Sequence, residues 1–160
     1  MIKFNKELNL DITKVNHQEG VVDHLDVLDF NRFFFLLDRN EENFFQKREH
    51  ACKLTSFQKT QEGQQFETAV KNIFDYKGEK MDTYVFSSFC KKGITPNHDD
   101  NMTVFLIPTY GDVVYSVYTD KEQHYFLLKK GDLLVIPRDV VHSAIPLNPR
   151  IVVSVGVCRY

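Results

Sequence analysis

The spacing of apolar residues changes near residue 80. Before it, Phe30, Phe33, Phe34 and Leu37 recur at helical intervals behind Asp29, and Phe66, Ala69, Val70, Ile73 and Phe74 do so again, which predicts two amphipathic helices. Between them Gln58 to Gln65 is polar and holds Gly63, so it reads as an exposed loop. Phe44 and Phe45, ahead of Gln46-Lys47-Arg48, read as a short edge strand. From Thr83 onward the apolar runs are short and rich in Val, Ile, Tyr and Phe. They are Tyr84 to Phe89, Thr103 to Ile107, Val113 to Tyr118, Tyr125 to Leu128, Leu133 to Ile136 and Ile151 to Val157. Six such runs separated by Gly, Pro, Asp and Lys turns predict an antiparallel sandwich or barrel. The Phe33-Phe34-Phe35 run fits a helix buried on most of its circumference; an aromatic pocket or a homodimer interface is the alternative.

The chain has 160 residues, enough for one domain with its own core. We read residues 1–80 as helical and edge-strand elements packed on a strand-rich core at 81–160, one domain overall. Lys plus Arg (20) nearly balances Asp plus Glu (22), so bulk charge gives no support to a nucleic-acid surface. The N-terminus carries charges where a secretory signal needs an apolar core, and no apolar run approaches a bilayer span. A cytoplasmic protein without membrane attachment is expected. Cys52, Cys90 and Cys158 lack C-x-x-C spacing and are expected as reduced, packed thiols. Cys90 invites a redox role, but packing is the simpler account.

The chemistry gathers at Gly93-Ile-Thr-Pro-Asn-His98-Asp-Asp100. Residues i and i+2 of an extended segment project to one side, so His98 and Asp100 can bind one ion, whereas Asp99 points to the other face. A third ligand is available in His142, behind Gly131-Asp-Leu-Leu-Val-Ile-Pro137: a turn, a buried strand, a Pro that ends pairing, and a loop returning a histidine. Two imidazoles and a carboxylate form the 2-His-1-carboxylate set, which suits Fe(II) and leaves coordination positions open. His17, His24, His50 and His124 are assigned surface or capping roles.

These residues resemble the JmjC-type cupins, Fe(II)- and 2-oxoglutarate-dependent oxygenases that include the ribosomal oxygenases and the asparaginyl hydroxylase of hypoxia-inducible factor. The resemblance covers about residues 66 to 160. It rests on Met81 to Phe89, on the Gly93 to Asp100 stretch, on Val104-Phe-Leu-Ile with Gly111, and on Leu128-Lys-Lys-Gly131 to Pro137 with Val140-Val-His142. In the general pattern a Gly often stands at Asp139, an exchange that Asp's tolerance of turns allows. The implied fold is mainly β with N-terminal helices, a cupin or double-stranded β-helix (jelly-roll) barrel. The implied ligands are His98, Asp100 and His142. Thr95 matches a hydroxyl that helps hold the far carboxylate of 2-oxoglutarate. The Lys or Arg that normally pairs with that carboxylate is replaced by Val113, and Gly156 replaces a polar Asn. Arg150 and Arg159, on the last strand, are the substitutes for the missing cation, while Lys129 and Lys130 are expected to face water. The ribosomal oxygenases carry dimerisation and winged-helix segments after the cupin, and no substrate recognition is expected from such parts here.

The leading expectation is therefore an Fe(II)- and 2-oxoglutarate-dependent hydroxylase of a peptide, a protein side chain or a small molecule. Two others stand beside it: a metal-dependent cupin whose substrate itself chelates the ion, and a non-catalytic binding module.

Overall fold

The computed structural model describes residues 1–5, 7–8, 10–39, 51–73, 80–89 and 95–158. The expected edge strand at Phe44 and Phe45, and His50, Phe74, Cys90, Gly93 and Arg159, lie outside the described residues.

The N-terminal half opens with three short strands, β1 (Lys3–Phe4), β2 (Asn16–Gln18) and β3 (Val22–Asp23). A 3-10 turn, Leu25–Leu28, leads into α1 (Phe30–Asp38). Asp29 caps that helix, its side chain accepting a hydrogen bond from the Arg32 amide at 2.7 Å, which satisfies one of the amide donors a helix start leaves open. Strand β4 (Ala51–Leu54), a 3-10 turn at Phe57–Lys59 and α2 (Gln61–Ile73) follow.

α2 begins five residues before the predicted helix, so Gln61 to Gln65 is helical and not loop. Its polar letters hid a close approach. Gly63 is buried, and a Cβ there would sit 2.1 Å from the Phe57 carbonyl oxygen. The helix therefore starts against the preceding turn only because that position has no side chain. α1 also differs from expectation. Phe33 is fully buried, whereas Phe34 and Phe35 are 38% and 43% exposed, so the helix buries one face and not most of its circumference. Phe34 packs beside Phe30 and Phe89, and the guanidinium groups of Arg32 and Arg39 lie over the Phe35 ring.

The C-terminal half supplies β5 (Met81–Ser88), β6 (Thr95–His98), β7 (Thr103–Tyr110), β8 (Val113–Thr119) and β9 (Glu122–Leu128). The last three strands are β10 (Leu133–Ile136), β11 (His142–Pro146) and β12 (Arg150–Val157). They form an antiparallel six-stranded sheet, in the order β2-β10-β7-β12-β5-β4, and a four-stranded sheet, β6-β11-β8-β9; β1 and β3 pair separately.

Strand alternation sorts the six-stranded sheet into two faces. Val85, Phe105, Ile107, Val135, Val153 and Val155 join the core under the helices. Val104, Leu106, Leu134, Ile136 and Val152 point the other way and meet Val113, Tyr115, Val117 and Ala144 of the four-stranded sheet. This second core makes the architecture a sandwich with helices on one outer face.

The expected double-stranded β-helix barrel is corrected here. β2 and β4 are the outer strands of one sheet, β6 and β9 those of the other. No ladder among the described residues joins the sheets, so neither closes into a barrel. The cause of the misreading is physical. Alternation in a strand specifies which side chains face inward, but it is the same for two open sheets packed face to face as for a closed one.

Among the described residues no helix is long and apolar enough to cross a membrane.

Candidate metal centre

β6 and β11 place the two histidines. In their antiparallel ladder His142 lies directly opposite His98, and the register then shifts before Ala144 meets Thr95. Directly opposed residues have neighbouring Cβ atoms, and here the two rings stand 4.3 Å apart between centroids. Asp100 lies two residues past His98. Its carbonyl accepts a hydrogen bond from the Asp139 amide at 2.8 Å, which ties the carboxylate's loop to the loop that returns His142. Asp139 makes that bond from a left-handed conformation, φ 62°, the turn geometry that the Gly of the general pattern would serve.

Both rings are held in one tautomer. Nδ1 of His98 lies 2.8 Å from the Pro96 carbonyl oxygen and Nδ1 of His142 lies 3.0 Å from that of Val140. A carbonyl only accepts, so each Nδ1 carries a proton, and the neutral form of each ring has its lone pair on Nε2. Second partners of this kind orient ligating histidines. His142 is buried, and loss of solvent pushes its pKa below the usual 6.5, followed in size by the opposing hydrogen bond that it donates to the Val140 carbonyl and by the repulsion of His98. Burial thus favours the neutral ring that a metal needs. Nε2 of His142 lies 3.5 Å from a carboxylate oxygen of Asp100. One potential ligand atom from each of His98, Asp100 and His142 falls within 4.8 Å of the others. This donor set, two imidazoles and one carboxylate, matches the facial triad of non-haem Fe(II) oxygenases. Asp99 is exposed and does not line the cavity.

The triad opens on a cavity of about 430 Å³ between the sheets, within the size range of small-ligand sites. Thr95 and Arg150 line it too. Arg150 is 3% exposed, and neither its Nε nor its Nη1 has a hydrogen-bond partner. Its positive charge opposes the upward push that burial gives the Tyr115 phenol. Val113, two residues before Tyr115 on the same strand face, is fully buried in the between-sheet core. The position of the usual cation is therefore apolar, and a cation reaches the cavity from β12. Gly111, which the motif singled out, turns at φ 71° with room for no Cβ, since one would meet the Pro149 carbonyl oxygen at 2.0 Å. The chain thereby enters β12 directly before Arg150. Lys129 and Lys130 are exposed as expected, Lys130 pairing with Asp26 at 2.7 Å. His124 is exposed, and His24 precedes the first 3-10 turn without a side-chain capping bond. His17 departs from the surface role, lying half-buried 3.7 Å from an oxygen of Asp132. Cys52 is buried and Cys158 half-buried.

Sequence reasoning missed Lys53, Tyr84, Phe86 and Tyr115, all lining the cavity. The signal existed in strand parity. Tyr84 and Phe86 flank the core residue Val85, and Lys53 sits between the core residues Cys52 and Leu54.

Comparison with known proteins bears on this geometry. The family model described as JmjC domain matches residues 54–160. The chain belongs to the JmjC domain family. No curated protein gives a sequence match. Among solved structures, the ribosomal oxygenase YcfD from Escherichia coli, in complex with cobalt and 2-oxoglutarate, superposes with a TM-score of 0.77 at 15% identity, over 100% of this chain and 54% of that one. The same oxygenase with cobalt and succinic acid gives 0.76 at 15% identity, over 100% and 53%. A further structure of it gives 0.69 at 14%, over 93% and 49%. The JmjC-family chain spans about half the length of these oxygenase chains, and at such identity the likeness is one of fold.

Proposed function

We propose that this chain is an Fe(II)- and 2-oxoglutarate-dependent oxygenase that hydroxylates a C–H bond of a peptide, a protein side chain or a small molecule. The observation that carries the reading is Arg150. A buried guanidinium with two unpartnered nitrogen atoms faces the same cavity as two Nδ1-locked histidines and a carboxylate. Leaving such a group unpaired costs several kcal/mol, and a carboxylate is the partner its fork fits best.

In this reading His98, Asp100 and His142 hold the iron, and Arg150 with the Thr95 hydroxyl holds the far carboxylate of 2-oxoglutarate. Tyr115 lines the same cavity. When bound, iron and 2-oxoglutarate together with O2 supply the oxidising power that converts a C–H bond to an alcohol, with 2-oxoglutarate leaving as succinate and CO2. The chain's own part is positional. The Pro96 and Val140 carbonyls keep both Nε2 atoms available, the Asp100–Asp139 backbone bond fixes the carboxylate's loop, and the apolar floor of Val104, Leu106 and Ala144 keeps bulk water from the reacting carbon.

The test is anaerobic titration of the Fe(II)-loaded protein with 2-oxoglutarate, then admission of O2 and measurement of succinate. Binding at one equivalent and iron-dependent succinate are expected. His98→Ala and Asp100→Ala should each lose the metal. If the loaded protein takes up no 2-oxoglutarate, the reading fails; if the double variant still binds one equivalent of metal, the triad assignment fails with it.

A further inference from the structure

Lys53 has no task in that mechanism. It lies at mid-strand on β4, the outer strand of the six-stranded sheet, where Cys52 and Leu54 turn to the helix-side core and Lys53 to the cavity. Its Nζ stands 3.9 Å from the centre of the Tyr84 ring and 5.2 Å from that of Phe86, so two aromatic faces hold the ammonium in place. No carboxylate of the described residues comes within ion-pair distance. Asp82 is paired with Lys80 at 3.4 Å, and Asp100 faces His142 at 3.5 Å. The half-buried amine loses hydration, which lowers its pKa, while Asp100 and Asp82 pull on it only from a distance.

Under the reading above, on which this inference rests, the loaded site is close to charge balance. Asp100 is committed to the metal and Arg150 to the far carboxylate of the cosubstrate. Lys53 remains a positive charge in the cavity with no carboxylate of the described residues in ion-pair contact. We propose that Lys53 is a specificity residue that binds a carboxylate on the prime substrate, so that the oxygenase selects an acidic compound or an acidic side chain.

The probes are matched acid and amide pairs: N-acetyl-aspartic acid amide against its asparagine counterpart, and capped five-residue alanine peptides carrying Asp or Asn at the centre. Calorimetry on the Fe(II)- and 2-oxoglutarate-loaded protein without oxygen reads their binding. The acid is expected to bind about tenfold tighter than its amide, the scale of one charge-assisted hydrogen bond. The format in which the preference appears tells a free acid from a peptide. Lys53→Met should erase it and Lys53→Arg should keep it, with 2-oxoglutarate affinity in both within about twofold of wild type, as expected for a charge that does not touch the cosubstrate. Absence of an acid preference in both formats overturns the proposal, as does a preference that persists in Lys53→Met. So does a loss of 2-oxoglutarate affinity in Lys53→Met as large as in Arg150→Met, which would make Lys53 a cosubstrate anchor. A wild-type protein that takes up no 2-oxoglutarate overturns the underlying reading, and this inference falls with it.

Discussion

Arg150→Met separates a cosubstrate anchor from a structural ion by giving opposite signs in two measurements. Met keeps an unbranched, apolar stem of similar length but removes the fork. If a carboxylate pairs with the guanidinium, losing the cation strips a buried ion pair of one partner, which costs about 3 kcal/mol or more, equivalent to at least about a hundredfold in Kd for 2-oxoglutarate. The cosubstrate-free protein should respond differently. There the substitution exchanges the packing of a buried guanidinium for that of a Met side chain, a cost of about 1 kcal/mol, and at the same time relieves a cation that is 3% exposed with two unpartnered nitrogens. These effects oppose each other, so the melting temperature without cosubstrate should hold or rise slightly. Calorimetric titration of the metal-loaded protein gives the first quantity and thermal unfolding of both forms the second. At a concentration one hundred times Kd, 2-oxoglutarate should stabilise the wild type by about 2.7 kcal/mol, and this increment should fall to about 0.4 kcal/mol or less in the variant. The reasoning is refuted if 2-oxoglutarate affinity changes less than threefold, or if the unliganded variant loses about 3 kcal/mol of stability, the signature of a structural charge.

Three further outcomes are expected. Gly63→Ala would gain about 1 kcal/mol from helix propensity alone, yet a Cβ 2.1 Å from the Phe57 backbone oxygen should reverse the sign, and chemical denaturation should show a net loss of about 2 kcal/mol, as for an overpacked core. Asp139→Val should cost about 1–2 kcal/mol because a β-branched residue resists the left-handed turn, and should weaken metal binding by loosening the Asp100 loop; Asp139→Gly should do neither, as metal titration and unfolding can check. The metal-free protein should lose stability on acidification: the folded His142 has a pKa below its unfolded 6.5, so the unfolded chain binds more protons, and the stability is complete above pH 6.5 and lost as pH falls through the lowered value. Unfolding curves across that window should flatten in His142→Gln, and an unchanged slope would refute the assignment.

The triad was legible because its determinants are local. The i, i+2 spacing of His98 and Asp100, and the turn, strand and Pro that precede His142, each lie within a few residues. Backbone alternation and turn chemistry translate such spacing directly into geometry. The other strands from Thr103 to Val157 were legible for the same reason, and Leu133–Ile136 agrees to the residue, but β11 (His142–Pro146) was not anticipated as a strand. The pairings β4 with β5 and β6 with β11 were not legible, since β4 and β6 are only four residues long, too short for a sequence pattern to announce a partner. Closure of the sheets was equally hidden, because it depends on which outer strands meet and not on any one strand's pattern. The start of α2 was lost to a polar run whose one glycine serves packing rather than a turn. Arg150 lies between these cases. Its side chain falls on the same face of β12 as Val152, Ser154 and Gly156, which alternation alone foretells. That the buried face carries a charge, though, is intelligible only once His98, Asp100 and His142 are seen across the same cavity. Burying a cation beside an apolar core disfavours folding unless something anionic arrives. The strand therefore sacrifices stability at one position, and the site opposite it supplies the reason.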